Sequence, residues 1–322
     1  MTGNADADLY PDHLTVKTCS EQCVVVGSNH IPVIVESLPE KPQAGRLTIQ
    51  AGIASDQNPK HRANQQDAAG AGELTLFRPS GGYLHIRVIG VFDGVGGSNG
   101  GGLASSTASQ SVVTGLLSAI ADVTDKDQLR EIVEAAFSTA NRIIRAAPHP
   151  YANSATTGAA CVVIDDEWLG RWCGVVHLGD SRVYAVPRGG IGTLLTRDHS
   201  YVQTLVDAGE ITPEEALAHP DSNIITAALG AAPTSPAVRT TINELNDSIA
   251  IIALTDGVWG ALERSLKDDF PTYLADIVWR LSPQDAAETL VAAAIGAGSD
   301  DNATAAIMRI DVAEPLPVDH RS

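Results

Sequence analysis

Cysteine is scarce in this 322-residue chain. Four occur, too few for the disulfide framework of a secreted domain. No segment joins a basic start to an apolar core and a cleavage site, so no signal peptide is expected and a reducing cytoplasm fits best. Long apolar runs are also missing: even the Ala-rich "ETLVAAAIGAG" falls short of the roughly 20 residues that span a bilayer. Aromatic residues are only 4% of the chain against 44% hydrophobic, so small aliphatic side chains must build the core. Basic residues are few, 21 Lys and Arg against 39 Asp and Glu, for a net charge of -18. Nucleic-acid backbones and anionic membranes reward the opposite balance, and neither is expected as a partner. There is no G-x-x-x-x-G-K loop and no cysteine in a basic loop, which argues against a P-loop and a cysteine nucleophile.

The length accommodates one large core or two modest ones. Residues 1–45 read as an N-terminal extension closing on the linker-like "SLPEKPQAG", and 313–322 as a disordered tail. Cys19 and Cys23 in "CSEQC", with His13 or His30, offer half of a zinc site at an unusual spacing, and no second cysteine pair follows. Cys161 and Cys173 lie in apolar runs and read as core. Strand signals recur at "LHIRVIGVF", "GAACVVI", "GVVHLGD", "RVYAV", "SIAIIAL" and "ATAAIMRI". Helical periodicity covers "GLASSTASQSVVTGLLSAIADV", "KDQLREIVEAAFSTANRIIRAA" and "SPQDAAETLVAAAIGAG", the last opening on Ser282 and Pro283 as N-cap and first helical residue. Strands grouped locally and divided by long helices suit an antiparallel α+β layered domain.

What is abundant is carboxylate at strand ends. "VIGVFDGVGG" ends an aliphatic strand on Asp93-Gly94, and "IIALTDGVWG" repeats the pattern at Asp256-Gly257. "GSDDNATAAIM" sets Asp300, Asp301 and Asn302 just before a strand. Any one Asp-Gly is an ordinary turn. Three such carboxylates converging beyond a sheet edge would repel one another unless a cation intervened, and hard oxygen ligands call for Mg²⁺ or Mn²⁺. Asp67 is a fourth candidate, with Arg62 nearby as a planar donor fork suited to phosphate. The Gly94 carbonyl can join such a site because glycine lets the backbone come close. Two cations about 4 Å apart that share a carboxylate and activate water make a phosphate-ester hydrolase without a protein nucleophile.

In order along the chain, "RANQQDA", "FDGVGG", "ATTGAAC", "HLGDSRVY", "LTRDHS", "LTDGVWG" and "DDNATAAIM" resemble the motifs of the metal-dependent protein phosphatases of the PPM type, also called type 2C. The resemblance is bacterial-like and runs from about Ser55 to Ile310. It implies an α+β fold, a four-layer αββα sandwich with two central antiparallel β-sheets and a flap at about 198–230, all within a phosphatase domain at 46–312. It also implies two Mn²⁺ or Mg²⁺ ions, and phosphoserine or phosphothreonine proteins, those of a Ser/Thr kinase, as substrates of a monomer. Carried across, Asp93 bridges the metals, the Gly94 carbonyl binds one, and Asp256 and Asp301 bind the other. Asp67 holds metal-bound water, and Arg62 clamps the substrate phosphate. Asp180 and Asn302 read as turn and supporting residues, and His199 as a structural hydrogen-bonding residue.

Three departures stand out. Gln66 replaces the usual Glu, which removes an outer negative charge and should weaken metal affinity. Val95 occupies the position of a histidine that some members use as a general acid. "HPYANSATTGAA" has no acidic residue just before its Thr-Thr pair, which argues against a third ion. The alternative function is a catalytically silent phosphoprotein-binding or regulatory module on the same fold; such a module should have lost a primary aspartate or the arginine, and this chain keeps them. Structural calcium binding lacks the D-x-D-x-D-G loop it would need.

Overall fold

The computed structural model describes residues 47–77, 82–95, 100–148, 151, 153–231 and 238–312. The expected N-terminal extension, with Cys19 and Cys23, and the expected tail lie outside the described residues. Two antiparallel sheets form the centre. One runs β1 (Leu47–Asp56), β11 (Ala303–Val312), β10 (Ile249–Leu254), β7 (Arg182–Pro187) and β8 (Thr193–Leu194). The other runs β2 (Asp67–Phe77), β3 (Tyr83–Val95), β5 (Gly158–Asp166), β6 (Gly170–Leu178) and β9 (Arg239–Glu244), with β4 (Ala155–Thr156) paired to the end of β3.

Alternation along the strands separates three cores. Ile89, Val91, Cys161, Val163, Ile251, Ala306 and Met308 pack between the sheets. Leu84, Ile86, Val88 and Phe92 face outward from the second sheet onto α1 (Gly100–Ala119) and α2 (Lys126–Arg145). Ile252, Leu254, Ala305 and Ile307 face outward from the first onto α5 (Asp256–Leu266), α6 (Phe270–Arg280) and α7 (Pro283–Gly296). This is the expected four-layer αββα, α+β architecture. Cys161 and Cys173 are buried core thiols.

Local chemistry explains the helices. α2 begins where the Asp125 carboxylate accepts from the backbone N–H groups of Asp127 and Gln128, and it buries Leu129, Val133, Ala136, Phe137, Ala140 and Ile144 on one face. α7 opens as its sequence predicts, with Ser282 accepting from Asp285 N–H ahead of Pro283. Within the expected flap, α3 (Tyr201–Asp207) and α4 (Pro213–Leu217) follow Ser200 and Thr212 N-caps. A Ser200–Ile225 bridge closes the flap on itself, and it is tied to the body by a Thr156–Leu229 bridge at one end and by the His199 N–H bond to the Gly179 carbonyl at the other.

β1, β2, β9, α5 and α6 are among the elements with no counterpart in the expected set. β1 and β2 are edge strands, "LTIQAGIASD" and "DAAGAGELTLF", rich in Ala and Gly. A methyl group on Gly52 would lie 2.4 Å from the α7 backbone at Gln284, so the glycine that weakens the strand signal is what lets the helix sit down.

Candidate metal and phosphate site

The antiparallel register sets Asp67, the first residue of β2, directly opposite Asp93 near the end of β3. The Thr-Thr pair fixes the Asp93 backbone. Thr157 N–H and the Thr156 hydroxyl both donate to the Asp93 carbonyl at 2.8 Å, while Asp93 N–H donates to the Thr157 hydroxyl at 3.2 Å. Glycine follows because nothing larger fits: a methyl at residue 94 would stand 2.4 Å from the Gly101 backbone in the first turn of α1 and 2.6 Å from the Gln66 carbonyl.

The other sheet supplies the remaining acids. Thr255, just past β10, donates its hydroxyl to Asp67 Oδ2 at 2.8 Å and so joins the two sheets at this end. Asp256 is the first residue of α5. It therefore sits at a helix start, not in the turn that its Asp-Gly pair suggests, and the helix N-terminus favours its negative charge. The start of α5 rests on the loop before β11: Ser299 donates to the Gly257 carbonyl at 2.7 Å, and a methyl at Gly257 would lie 1.9 Å from the Asn302 carbonyl.

Asp301 forms an ion pair with Arg62, whose Nε also donates to the Asp300 carbonyl at 3.1 Å. The Arg62 side chain stays 40% exposed, open enough to meet a ligand. Asn302 ties the 57–66 loop into place. Its Oδ1 accepts from Gln66 N–H at 2.8 Å, and its Nδ2 donates to the carbonyls of Gln57 at 2.7 Å and Asn64 at 3.2 Å. That is the supporting role expected of it. Gln66, just before β2, packs against the first turn of α1, its carbonyl accepting from Gly94 N–H at 3.1 Å and from the Ser105 hydroxyl at 2.6 Å. His199 donates its backbone N–H to the Gly179 carbonyl at 2.9 Å.

Charge binds these residues into one cluster. Burial and the neighbouring carboxylates of Asp256, Asp67 and Asp180 push Asp93 well above the ordinary carboxylate range. Asp67 is pushed up to about 7 by burial, against the pull of its threonine hydrogen bonds. Asp301 rises to about 6, again chiefly through burial, with Asp256 adding to the rise and Arg62 opposing it. Burial also raises Asp256, opposed by a hydrogen bond with Asp93 and by the charges of Arg62 and Arg264.

The sequence alone reads Asp180 as a turn residue, and the structure brings it into the cluster. It is 5% exposed, and burial with the charges of Asp256 and Asp198 drives it well above its usual range. The available signal is its place at the end of an apolar strand, the same signal that marks Asp93.

Among the described residues, no three His, Cys, Asp or Glu side chains already surround one point as ligands would. The donor set nevertheless fits a hard cation. Asp256 Oδ1 is buried with no hydrogen-bond partner, and five aspartates whose charges disfavour one another gain from a divalent ion that disperses the repulsion. Of the residues expected at the site, Arg62, Asp67, Asp93, Gly94, Asp256 and Asp301 all lie at this end of the sheets, with no outlier.

Residues 60–299 match the family model described as protein phosphatase 2C. The Ser/Thr protein phosphatase PstP of Mycobacterium tuberculosis is 30% identical over 225 residues, which cover 70% of this chain and 40% of PstP. The chain therefore spans less than half the length of that relative. Protein phosphatase PhpP of Streptococcus pneumoniae is 33% identical over 68% of this chain and 84% of its own. Among solved structures, the catalytic domain of PstP in complex with two manganese ions superposes with a TM-score of 0.60 at 26% identity, covering 83% of this chain and all of that one.

Proposed function

The chain belongs to the protein phosphatase 2C family, and we propose that it hydrolyses phosphoserine and phosphothreonine esters in proteins at a centre of two Mn²⁺ or Mg²⁺ ions. One observation carries the reading: Asp67, Asp93, Asp180, Asp256 and Asp301 share one electrostatic neighbourhood, beside an arginine that is partly open to solvent. The two manganese ions of the PstP complex support the number and kind of cation.

In this reading Asp93 would be a ligand to both ions, the Gly94 carbonyl to one, and Asp256 and Asp301 to the other. A pair of divalent ions, when bound, supplies positive charge to a phosphoryl group and acidifies water. The protein's own part is positioning. Thr156 and Thr157 hold the Asp93 backbone, Thr255 orients Asp67, and Asn302 fixes the loop that carries Arg62. Asp67 would hold the water that the ions acidify. Arg62 offers its guanidinium fork to the phosphate oxygens, a contact that Lys would reproduce poorly. No histidine stands at Val95, so the proton for the leaving oxygen comes from a donor other than residue 95.

The test is release of phosphate from a phosphothreonine peptide and from p-nitrophenyl phosphate, with and without Mn²⁺. A silent module would release none under either condition.

A further inference from the structure

Arg182, the first residue of β7, is a buried junction between three segments that all reach the acidic cluster. Its side chain is 11% exposed. Nε donates to both oxygens of Asp198, at 3.0 and 3.2 Å, and Nη2 donates to Asp198 Oδ2 at 2.9 Å. Nη1 donates to Glu263 at 2.7 Å and reaches the Tyr184 hydroxyl at 3.4 Å. The guanidinium carbon lies 3.4 Å from the centre of the Trp259 ring, and the Trp259 indole donates to the Asp180 carbonyl at 3.0 Å.

Each partner leads somewhere specific. Asp198 is the root of the flap: His199 after it is bonded to Gly179, and Ser200 caps α3 and bridges to Ile225. Trp259 and Glu263 stand one turn apart on α5, and Trp259 is one turn from Asp256. Asp180 is two residues before Arg182 itself. A buried ion pair adds little net stability over a well-packed apolar core, so stability alone is a poor reason for a charged junction here, and its better attested use is to fix register. The combination also demands arginine, since only a planar fork can grip one carboxylate through two nitrogens, reach a second and stack on an indole at once.

We propose that Arg182 is a positioning residue that couples the root of the flap to Asp180 and Asp256, so that cation binding at the acidic cluster and the placement of the flap stabilise each other. This rests on the cation-site reading above. The coupling is reciprocal: whatever free energy the placed flap adds to cation binding, a bound cation returns to the flap.

The test uses the full chain stripped with EDTA. Mn²⁺ affinity is measured by calorimetry, and amide hydrogen exchange of residues 201–217 is followed with and without Mn²⁺. Arg182→Lys and Asp198→Glu both keep the net charge, so any loss of affinity reports position and not Coulomb attraction. In the wild type Mn²⁺ should slow exchange in 201–217. In each variant affinity should fall by about 10- to 100-fold, the range for changes behind metal ligands, and saturating Mn²⁺ should no longer slow exchange there. A merely structural junction would lower the melting temperature and leave both readouts alone. If Arg182→Lys does not fold, Asp198→Glu decides. Wild-type affinity with Mn²⁺-dependent flap protection in the folded variants would overturn the coupling alone. Failure of the wild type to bind Mn²⁺ would overturn the cation reading and the coupling with it.

Discussion

Asp67 and Asp93 face each other across one rung of the β2–β3 ladder. Like charges directly opposite in an antiparallel pair destabilise a sheet, and here burial adds to their repulsion. The Asp93 backbone is nonetheless held by two threonines, so the strain is built in, as expected of a site that trades stability for binding. In EDTA, Asp93→Asn should therefore melt higher than the wild type, at about 2–4 °C for each kcal/mol of repulsion relieved. A lower melting temperature would count against the repulsion.

The pH dependence follows from the same groups. Asp67 titrates near 7 and Asp301 near 6 in the folded chain, against 3.8 for an ordinary aspartate. Between those limits the folded state keeps protons that the unfolded state has released, so raising the pH penalises folding. The stabilising contribution is complete below about pH 4 and is lost as the pH climbs through 6 to 7. In chelator, melting temperature should fall from pH 5 to pH 8, a tenfold change in a carboxylate's proton affinity being worth about 1.4 kcal/mol. Saturating Mn²⁺ should flatten the curve. A rise from pH 5 to pH 8 in chelator would contradict these directions.

Arg62→Ala should move two quantities in opposite directions. Loss of a charge-assisted phosphate contact, worth about 1.5–3 kcal/mol, raises KM for a phosphopeptide by roughly one to two decades while kcat changes less. Loss of the cation beside Asp301 and Asp256 lowers the Mn²⁺ concentration for half-maximal activity. Steady-state kinetics across a Mn²⁺ titration would show both, and an unchanged KM with a reduced kcat would place Arg62 on the transition state instead.

Gln66→Glu should lower the Mn²⁺ requirement by about 10-fold or more, because it adds a full charge next to Gly94 and the start of α1. The maximal rate need not change, since Asp93, Asp256 and Asp301 remain. Superimposable activation curves would show that the residue 66 side chain does not act on the cations.

Much of the molecule is readable in the chain because strong local signals coincide with function. The strand that carries Asp93 near its end and the one that begins after Asn302 are apolar runs, and their periodicity fixes which end the carboxylates occupy. What escapes is set by tertiary contact. β2 carries Gly70 and Gly72 because α1 presses on it, with a methyl at Gly70 falling 2.6 Å from the Ser109 hydroxyl, and a strand thinned by glycine loses its signal. α5 is hidden because Gly257 and Gly260 interrupt its apolar pattern, and Asp-Gly reads as a turn. Asp180 reads as a turn residue because nothing local says that Trp259, from a distant segment, donates to its carbonyl or that Asp256 bears on its charge.

The central claim is that the aspartate cluster hydrolyses phosphate esters with divalent cations, and phosphate release from a phosphothreonine peptide tests it most directly. The protein is stripped with EDTA and assayed alone, with saturating Mn²⁺, and as Asp93→Asn with saturating Mn²⁺, each variant being checked for a cooperative melt. The account predicts release only from the wild type with Mn²⁺. Comparable release in chelator, or wild-type turnover by Asp93→Asn, would contradict it.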